Sequence, residues 1–230
     1  MLIGFSRGAF TVRCVAQFIQ EVGLLTKSGL RHLPKLFKIW RHLEPNDLEP
    51  GNLSKNAELL KDRCEELRGW GELVKEVQVE VCAVWDTVRA VLRRKYRTVS
   101  ENMPKNIKIG VQALALGEKR NLYKPMKWNK PPEGPEGSGQ RLSQCWFAGN
   151  HSDVGGGNKD MTLANIALAW VIGQLTNKIQ FNHNNLWAIT TTRSWSKPSP
   201  SEDRNENLPN TCQVIATAPI SSSLRMYKNF

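Results

Sequence analysis

A hydroxyl, a carboxylate and an imidazole stand along this chain in the order Ser6, Asp86, His151. Those three types, in that order, are suited to acyl transfer. The hydroxyl attacks a carbonyl carbon, the imidazole takes its proton, and the carboxylate orients the imidazole. Ser6 is the centre of Gly4-Phe5-Ser6-Arg7-Gly8, a Gly-x-Ser-x-Gly pentapeptide with apolar residues before it and a helical pattern after it. That is the form of a strand turning sharply into a helix, with the serine held above the sheet edge. Gly4 and Gly8 suit a close approach of the strand and helix backbones. The backbone N–H of Arg7 is then a candidate oxyanion donor. An ordinary Gly/Ser turn is the plainer alternative.

Asp86 directly follows an apolar, β-branched run, Val77 to Trp85. This places it where ligands collect in α/β folds, past the carboxyl end of a strand. A turn or helix-cap aspartate is the ordinary alternative. Of four histidines, His32 and His42 fall on a basic helix and read as solvated, and His183 reads as a turn residue. His151 opens a glycine-rich loop, Gly149 to Gly157, which suits a mobile base. Asp153 either orients that loop by accepting a backbone N–H or forms an Asx turn. Gly155 and Gly156 permit a tight turn beside His151. The run lacks the lysine and Ser/Thr of a phosphate loop, and no G-x-G-x-x-G is present.

These residues need elements to hold them. Arg7 to Val22 has apolar residues at three- and four-residue steps, and Gly23 is placed to end that helix. It is apolar on most sides, as expected beneath a sheet. Leu30 to Leu43 reads as a basic amphipathic helix with Pro34 in its first turn. It could pack on the domain, cover a cleft or lie on an anionic membrane. Glu44 to Asn52 reads as a loop, and Ser54 caps a helix from Lys55 to Arg68 that Gly69 ends. Val77 to Trp85 reads as a central parallel strand, buried on both faces. Ile107 to Leu116 reads as a strand passing into a short helix, Lys124 to Gln140 as a long loop, and Gln144 to Phe147 as a short strand. Asp160 or Thr162 caps a last helix with Leu163, Ile166, Ala167, Trp170 and Val171 on one face. Strands alternating with helices indicate an α/β class with a mostly parallel sheet.

Composition narrows the classes. The chain has 230 residues, 40% hydrophobic and 23% charged, which suits one globular domain. No apolar run of about 18 residues marks a membrane span, and Met1 to Phe10 has no signal-peptide pattern. Five scattered cysteines, without a Cys-x-x-Cys or Cys/His cluster, read as reduced thiols in a cytoplasmic setting and give no metal site. No cofactor is expected. The net charge of +11 allows an anionic partner such as a lipid headgroup surface. It is spread out, without the interleaved aromatics of a single-strand binder, so no nucleic-acid partner is expected. Oligomeric state is not legible.

Three segments together resemble a family. They are Gly4-Phe5-Ser6-Arg7-Gly8-Ala9-Phe10-Thr11-Val12-Arg13, Val84-Trp85-Asp86-Thr87-Val88, and Trp146 through Gly157. They look like the uncharacterised α/β-hydrolase family that includes the type VI secretion phospholipase effectors and fungal homologues. Ala113 to Arg120 resembles a fourth block, with Gly117 where an aspartate is usual. Arg89 follows the second block where small residues are common. The resemblance spans roughly Leu2 to Phe181. It implies an α/β-hydrolase fold, a Ser6–Asp86–His151 triad and hydrolysis of carboxylic esters, phospholipids above all.

Family members carry further strands before the serine turn. The expected fold is therefore an incomplete α/β-hydrolase domain over residues 1–196, with a linker and tail over 197–230. Two competing readings stay open: a non-catalytic relic or interaction domain, and a basic module that binds anionic membranes or nucleic acid.

Overall fold

A computed structural model of the chain describes residues 1–43, 47, 54–88, 99–129 and 139–182. The expected loop at Glu44 to Asn52 apart from Asp47, residues 130–138 of the expected loop at Lys124 to Gln140, His183, and the tail over 197–230 lie outside the described residues. The chain forms two compact units. The first holds Met1–Leu114 and Lys119–Cys145, and the second holds Ala115–Glu118 and the chain from Trp146 onward.

The first unit opens with strand β1, Leu2–Phe5, which feeds helix α1, Arg7–Glu21. Strand β4, Val79–Trp85, pairs in parallel with β1, and β5, Ile107–Ala115, pairs in parallel with β4. With β6, Arg141–Phe147, the sheet order is β1-β4-β5-β6. The architecture is α/β with a mainly parallel sheet flanked by helices. Val81, Cys82, Ala83 and Val84 are all fully buried, as a central parallel strand covered on both faces requires. β5 stays a strand to Ala115, so the short helix expected before Leu116 does not form. The residues just past it bond to the end of β6 and beyond: Leu116 N–H donates to Phe147 O and Gly117 N–H to Gly149 O. β6 likewise starts earlier than expected, at Arg141.

Helix α1 is less uniformly apolar than its pattern suggests. Arg7, Gly8, Thr11 and Val15 form an exposed stripe, and Arg13 and Gln17 are buried. Arg13 spends its charge internally. Its guanidinium donates to Met126 O at 2.5 Å and Ser100 O at 3.0 Å and lies 4.6 Å over the Trp128 ring. Burial lowers its pKa to about 10, still charged at neutral pH. Gln112 on β5 completes the clamp. It donates to Met126 O, accepts from the Trp128 N–H and accepts from Gln144 on β6. These bonds satisfy buried polar groups that would otherwise each cost about 1–3 kcal/mol.

A helical subcore lies beside the sheet. Helix α2, Leu33–Trp40, follows a 3-10 turn at Gly29–His32 and carries Pro34 in its first turn. Helix α3, Lys55–Gly69, starts at Ser54, whose hydroxyl accepts the Ala57 N–H. α3 includes Gly69; the left-handed residue beyond it is Gly71, at φ 68°. Phe18, Leu36, Trp40, Leu60 and Leu67 pack in this subcore. The pattern did not reveal a two-stranded antiparallel ribbon, β2 at Leu24–Leu25 with β3 at Leu73–Val74. Two residues per strand leave no period to read.

In the second unit, helix α5 runs Thr162–Leu175. Asp160 accepts the N–H and hydroxyl of Thr162 ahead of it. Its buried stripe is Ala164, Ala167, Val171 and Leu175, rotated from the expected one, with Leu163, Ile166 and Trp170 half-buried. Trp170 meets Phe147 edge-on at 5.6 Å.

Among the described cysteines, burial pushes the Cys14 and Cys64 thiols up to about 11 and Cys82 up to about 12. An unfolded chain ionises these thiols first, so it loses protons while the folded state keeps them. Stability therefore falls as pH rises through the window from about 9 to 12. Urea melts at pH 8 and pH 10 should show a lower midpoint at the higher pH, and a Cys82→Ala variant should lose less between the two.

Candidate active site

The turn from β1 into α1 places Ser6. Its N–H donates to Trp85 O at 2.9 Å, and its own carbonyl accepts the Phe10 N–H to begin the helix. Ser6 has φ 57° and ψ −119°. A serine with positive φ is uncommon, and such strain persists only where the surroundings over-determine it. A serine at a helix N-cap ordinarily spends its hydroxyl on the first-turn N–H groups. Ser6 makes no such side-chain bond. The conformation instead leaves the first N–H groups of α1, beginning with Arg7, without helical partners.

Gly4 is required by sterics. A Cβ there would lie 2.5 Å from Gly8 O and 2.8 Å from Ala9 N. Gly8 is different: a Cβ there meets nothing within 4 Å. The close-approach reason therefore holds at Gly4, which faces the Gly8 backbone, and not for a side chain at Gly8. Gly4→Ala should destabilise the fold by about 1–3 kcal/mol through overpacking, whereas Gly8→Ala should be neutral or stabilising by up to about 1 kcal/mol. Thermal melts of the two variants check this contrast.

Asp86 stands at the matching position on the neighbouring strand. Phe5 is in register with Trp85, so Ser6 and Asp86 are each the first residue past paired positions of β1 and β4. Asp86 is fully buried, has φ 42°, and donates its N–H to Ala113 O at 2.8 Å. The first unit thus brings the hydroxyl-bearing and carboxylate-bearing residues to adjacent strand ends.

His151 belongs to the second unit. It does not sit in a loop, as its glycine-rich surroundings suggest, but opens a one-turn helix, α4, His151–Gly155. It is 7% exposed. Asn150 is the N-cap: its side-chain oxygen accepts from Ser152 N at 2.9 Å and Asp153 N at 3.2 Å. Asp153 closes the box by accepting the Asn150 N–H at 2.8 Å and is held by Asn158 at 2.7 Å. Of the two readings of Asp153, the structure favours the one that accepts a backbone N–H. Gly149 has φ 103°, and a Cβ there would lie 2.4 Å from the Asp153 side chain. Gly155 ends α4, and Gly156, at φ 90°, turns the chain away.

Glu118 was not singled out from the sequence. Its carboxylate accepts the His151 N–H at 3.3 Å. Its place after a strand that continues to Ala115 was the missed signal. His32 also departs from expectation: its Nε2 lies 3.1 Å from Glu72, so it is partnered rather than merely solvated. His42 is exposed as expected.

Residues 1–174 match the family described as type VI secretion system phospholipase effector Tle1-like, catalytic domain. The chain belongs to the Tle1-like family. The matched span holds Ser6, Asp86 and His151. It ends one residue before the end of α5, so the match covers the described first unit and reaches into the second. The uncharacterized protein YEL023C of Saccharomyces cerevisiae is 29% identical over 140 residues. That alignment covers 59% of this chain and 19% of the yeast protein, so the chain spans about a fifth of that relative. No solved structure matches the chain significantly.

Proposed function

We propose that this Tle1-like chain is the catalytic part of a serine ester hydrolase acting on lipids, with Ser6 as nucleophile. One observation carries the reading: a serine held at φ 57° between a parallel strand and a helix, its hydroxyl not spent on capping that helix. Strain of this kind has no use in an ordinary turn, where glycine would serve at no cost. It serves a nucleophile, because the reacting oxygen must stand clear of its own backbone.

The roles follow from acyl-transfer chemistry. Ser6 attacks the ester carbonyl as His151 takes its proton. The tetrahedral oxyanion accepts the Arg7 N–H, at the positive end of α1. Collapse expels the alcohol, which takes the proton back from His151. Water then repeats the sequence and releases the acid. Asp86 orients the imidazole. Glu118 and the Asn150–Asp153 capping box hold the His151 backbone. The Tle1-like family supports a phospholipid as substrate, and the triad needs no metal or organic cofactor.

A fluorophosphonate probe tests the assignment. It should label the chain on Ser6, as read by peptide mass. Unchanged labelling of Ser6→Ala protein would overturn the assignment.

A further inference from the structure

The chain from Val22 to Leu43 has five basic residues and no acidic one. Within it, the turn at Gly29–His32 and helix α2 bury Gly29, Leu36 and Trp40. A second apolar row, running from this turn into the helix, is not buried. Leu30 is 53% exposed, Leu33 38% and Phe37 40%. Their spacing of three and four residues sets them on one helical face. Trp70, 55% exposed, lies beside the same turn, with its ring 6.1 Å from that of His32. Phe37 is braced by Phe18 at 6.2 Å and Trp40 at 5.8 Å, so its ring is presented rather than loose. Lys27, Arg31, Lys35 and Lys38 of the same segment are all exposed. Glu72, a carboxylate beside this turn, is buried and already paired with Arg31.

We infer that this segment, with Leu30, Leu33, Phe37 and Trp70 as its exposed apolar groups and Lys27, Lys35 and Lys38 as its exposed charges, docks the protein on an anionic phospholipid surface. The charge pattern selects that occupant. A nucleic acid would use the lysines but would gain nothing from three exposed aliphatic and phenyl groups. A bilayer interface uses both: the apolar groups enter the acyl boundary, and the lysines stay among the headgroups. The indole of Trp70 suits the same depth. The two signals are individually weak. A helix of eight residues buries little apolar area, so a neutral membrane should hold it poorly. The inference deepens the lipid-hydrolase reading by naming how the enzyme reaches its substrate. It uses no triad residue.

The test is sedimentation of the full chain, carrying Ser6→Ala, with vesicles of non-hydrolysable diether lipids. One set is phosphatidylcholine alone, and the other is phosphatidylcholine mixed with phosphatidylserine. Using inactive protein and inert lipid separates docking from turnover. Binding should be restricted to the phosphatidylserine set and should fall as salt rises. Lys35→Gln and Lys38→Gln should each lower the partition constant about fivefold. Leu30→Ser and Trp70→Ser, both at highly exposed positions, should weaken binding without lowering the melting temperature. Equal binding to both vesicle sets would overturn the inference, as would variants that bind undiminished. It also fails if the chain ignores vesicles and binds duplex DNA through the same lysines. A dimer in solution that Leu30→Ser dissociates would assign the face to a second copy instead.

Discussion

Ser6→Ala should lower ester turnover by about 10⁵- to 10⁶-fold, leaving only what binding and oxyanion stabilisation supply. The size of the loss follows from the chemistry. Without the hydroxyl there is no acyl-enzyme, and the remaining groups cannot substitute for a covalent intermediate. The variant should fold normally. The Ser6 hydroxyl caps no helix, and its backbone N–H and carbonyl bonds to Trp85 and Phe10 do not involve the side chain. The positive φ strains alanine much as it strains serine, so the melting temperature should stay near the parent's. A Ser6→Gly variant removes that strain as well. It should match Ser6→Ala in inactivity while melting at least as high as the parent. Assaying a short-chain ester and a phospholipid with all three proteins, alongside thermal melts, checks the set. Turnover by Ser6→Gly near the parent rate would move the nucleophile elsewhere.

Asp86→Asn should lower kcat by about 10⁴-fold. The amide keeps the shape and the backbone bond to Ala113 but not the charge that favours the working tautomer and the imidazolium. A buried aspartate at a strand end has an ordinary structural role too, so the prediction needs a contrast. Glu118→Gln supplies it. An amide oxygen still accepts the His151 N–H that Glu118 accepts at 3.3 Å, so that variant should lose less than about tenfold. A reversal, with Glu118→Gln the crippled protein and Asp86→Asn near normal, would transfer the orienting role to Glu118. Near-normal activity in both would leave the imidazole without an acidic partner and sink the triad.

The candidate site was read from residue order. The Gly-x-Ser-x-Gly pentapeptide, the aspartate after a β-branched run and the histidine after a later strand are local signals. Each depends on a few neighbours in the chain. Gly4 is the clearest case, because the strand-to-helix turn brings its Cα against the Gly8 backbone four residues on. The parallel strand at β4 was legible for a similar reason: burial on both faces leaves a continuous apolar run.

Other features depend on partners far along the chain and left no periodic trace. The buried guanidinium of Arg13 looks, in sequence, like one more charge on a basic helix. It is internal because carbonyls 87 and 113 residues away accept its protons. His151 looked like a loop residue because glycines surround it. Asn150 and Asp153 fold it into a helical turn by satisfying each other's backbone. The stripe at Leu30, Leu33 and Phe37 belonged, by pattern, to a packed amphipathic helix. Burial chose the adjoining stripe, Leu36 and Trp40, because that side meets Phe18 of α1 and Leu60 and Leu67 of α3.

The sequence by itself determined the α/β class and the family and offered the candidate residues for acyl transfer, since all are written in short-range spacing. Only the tertiary structure decided that Ser6 adopts a strained turn without capping its helix. It also put Asp86 beside it at the next strand end and left part of the α2 face uncovered. Those outcomes rest on register and burial between distant segments, and register and burial are not properties of any single stretch of chain.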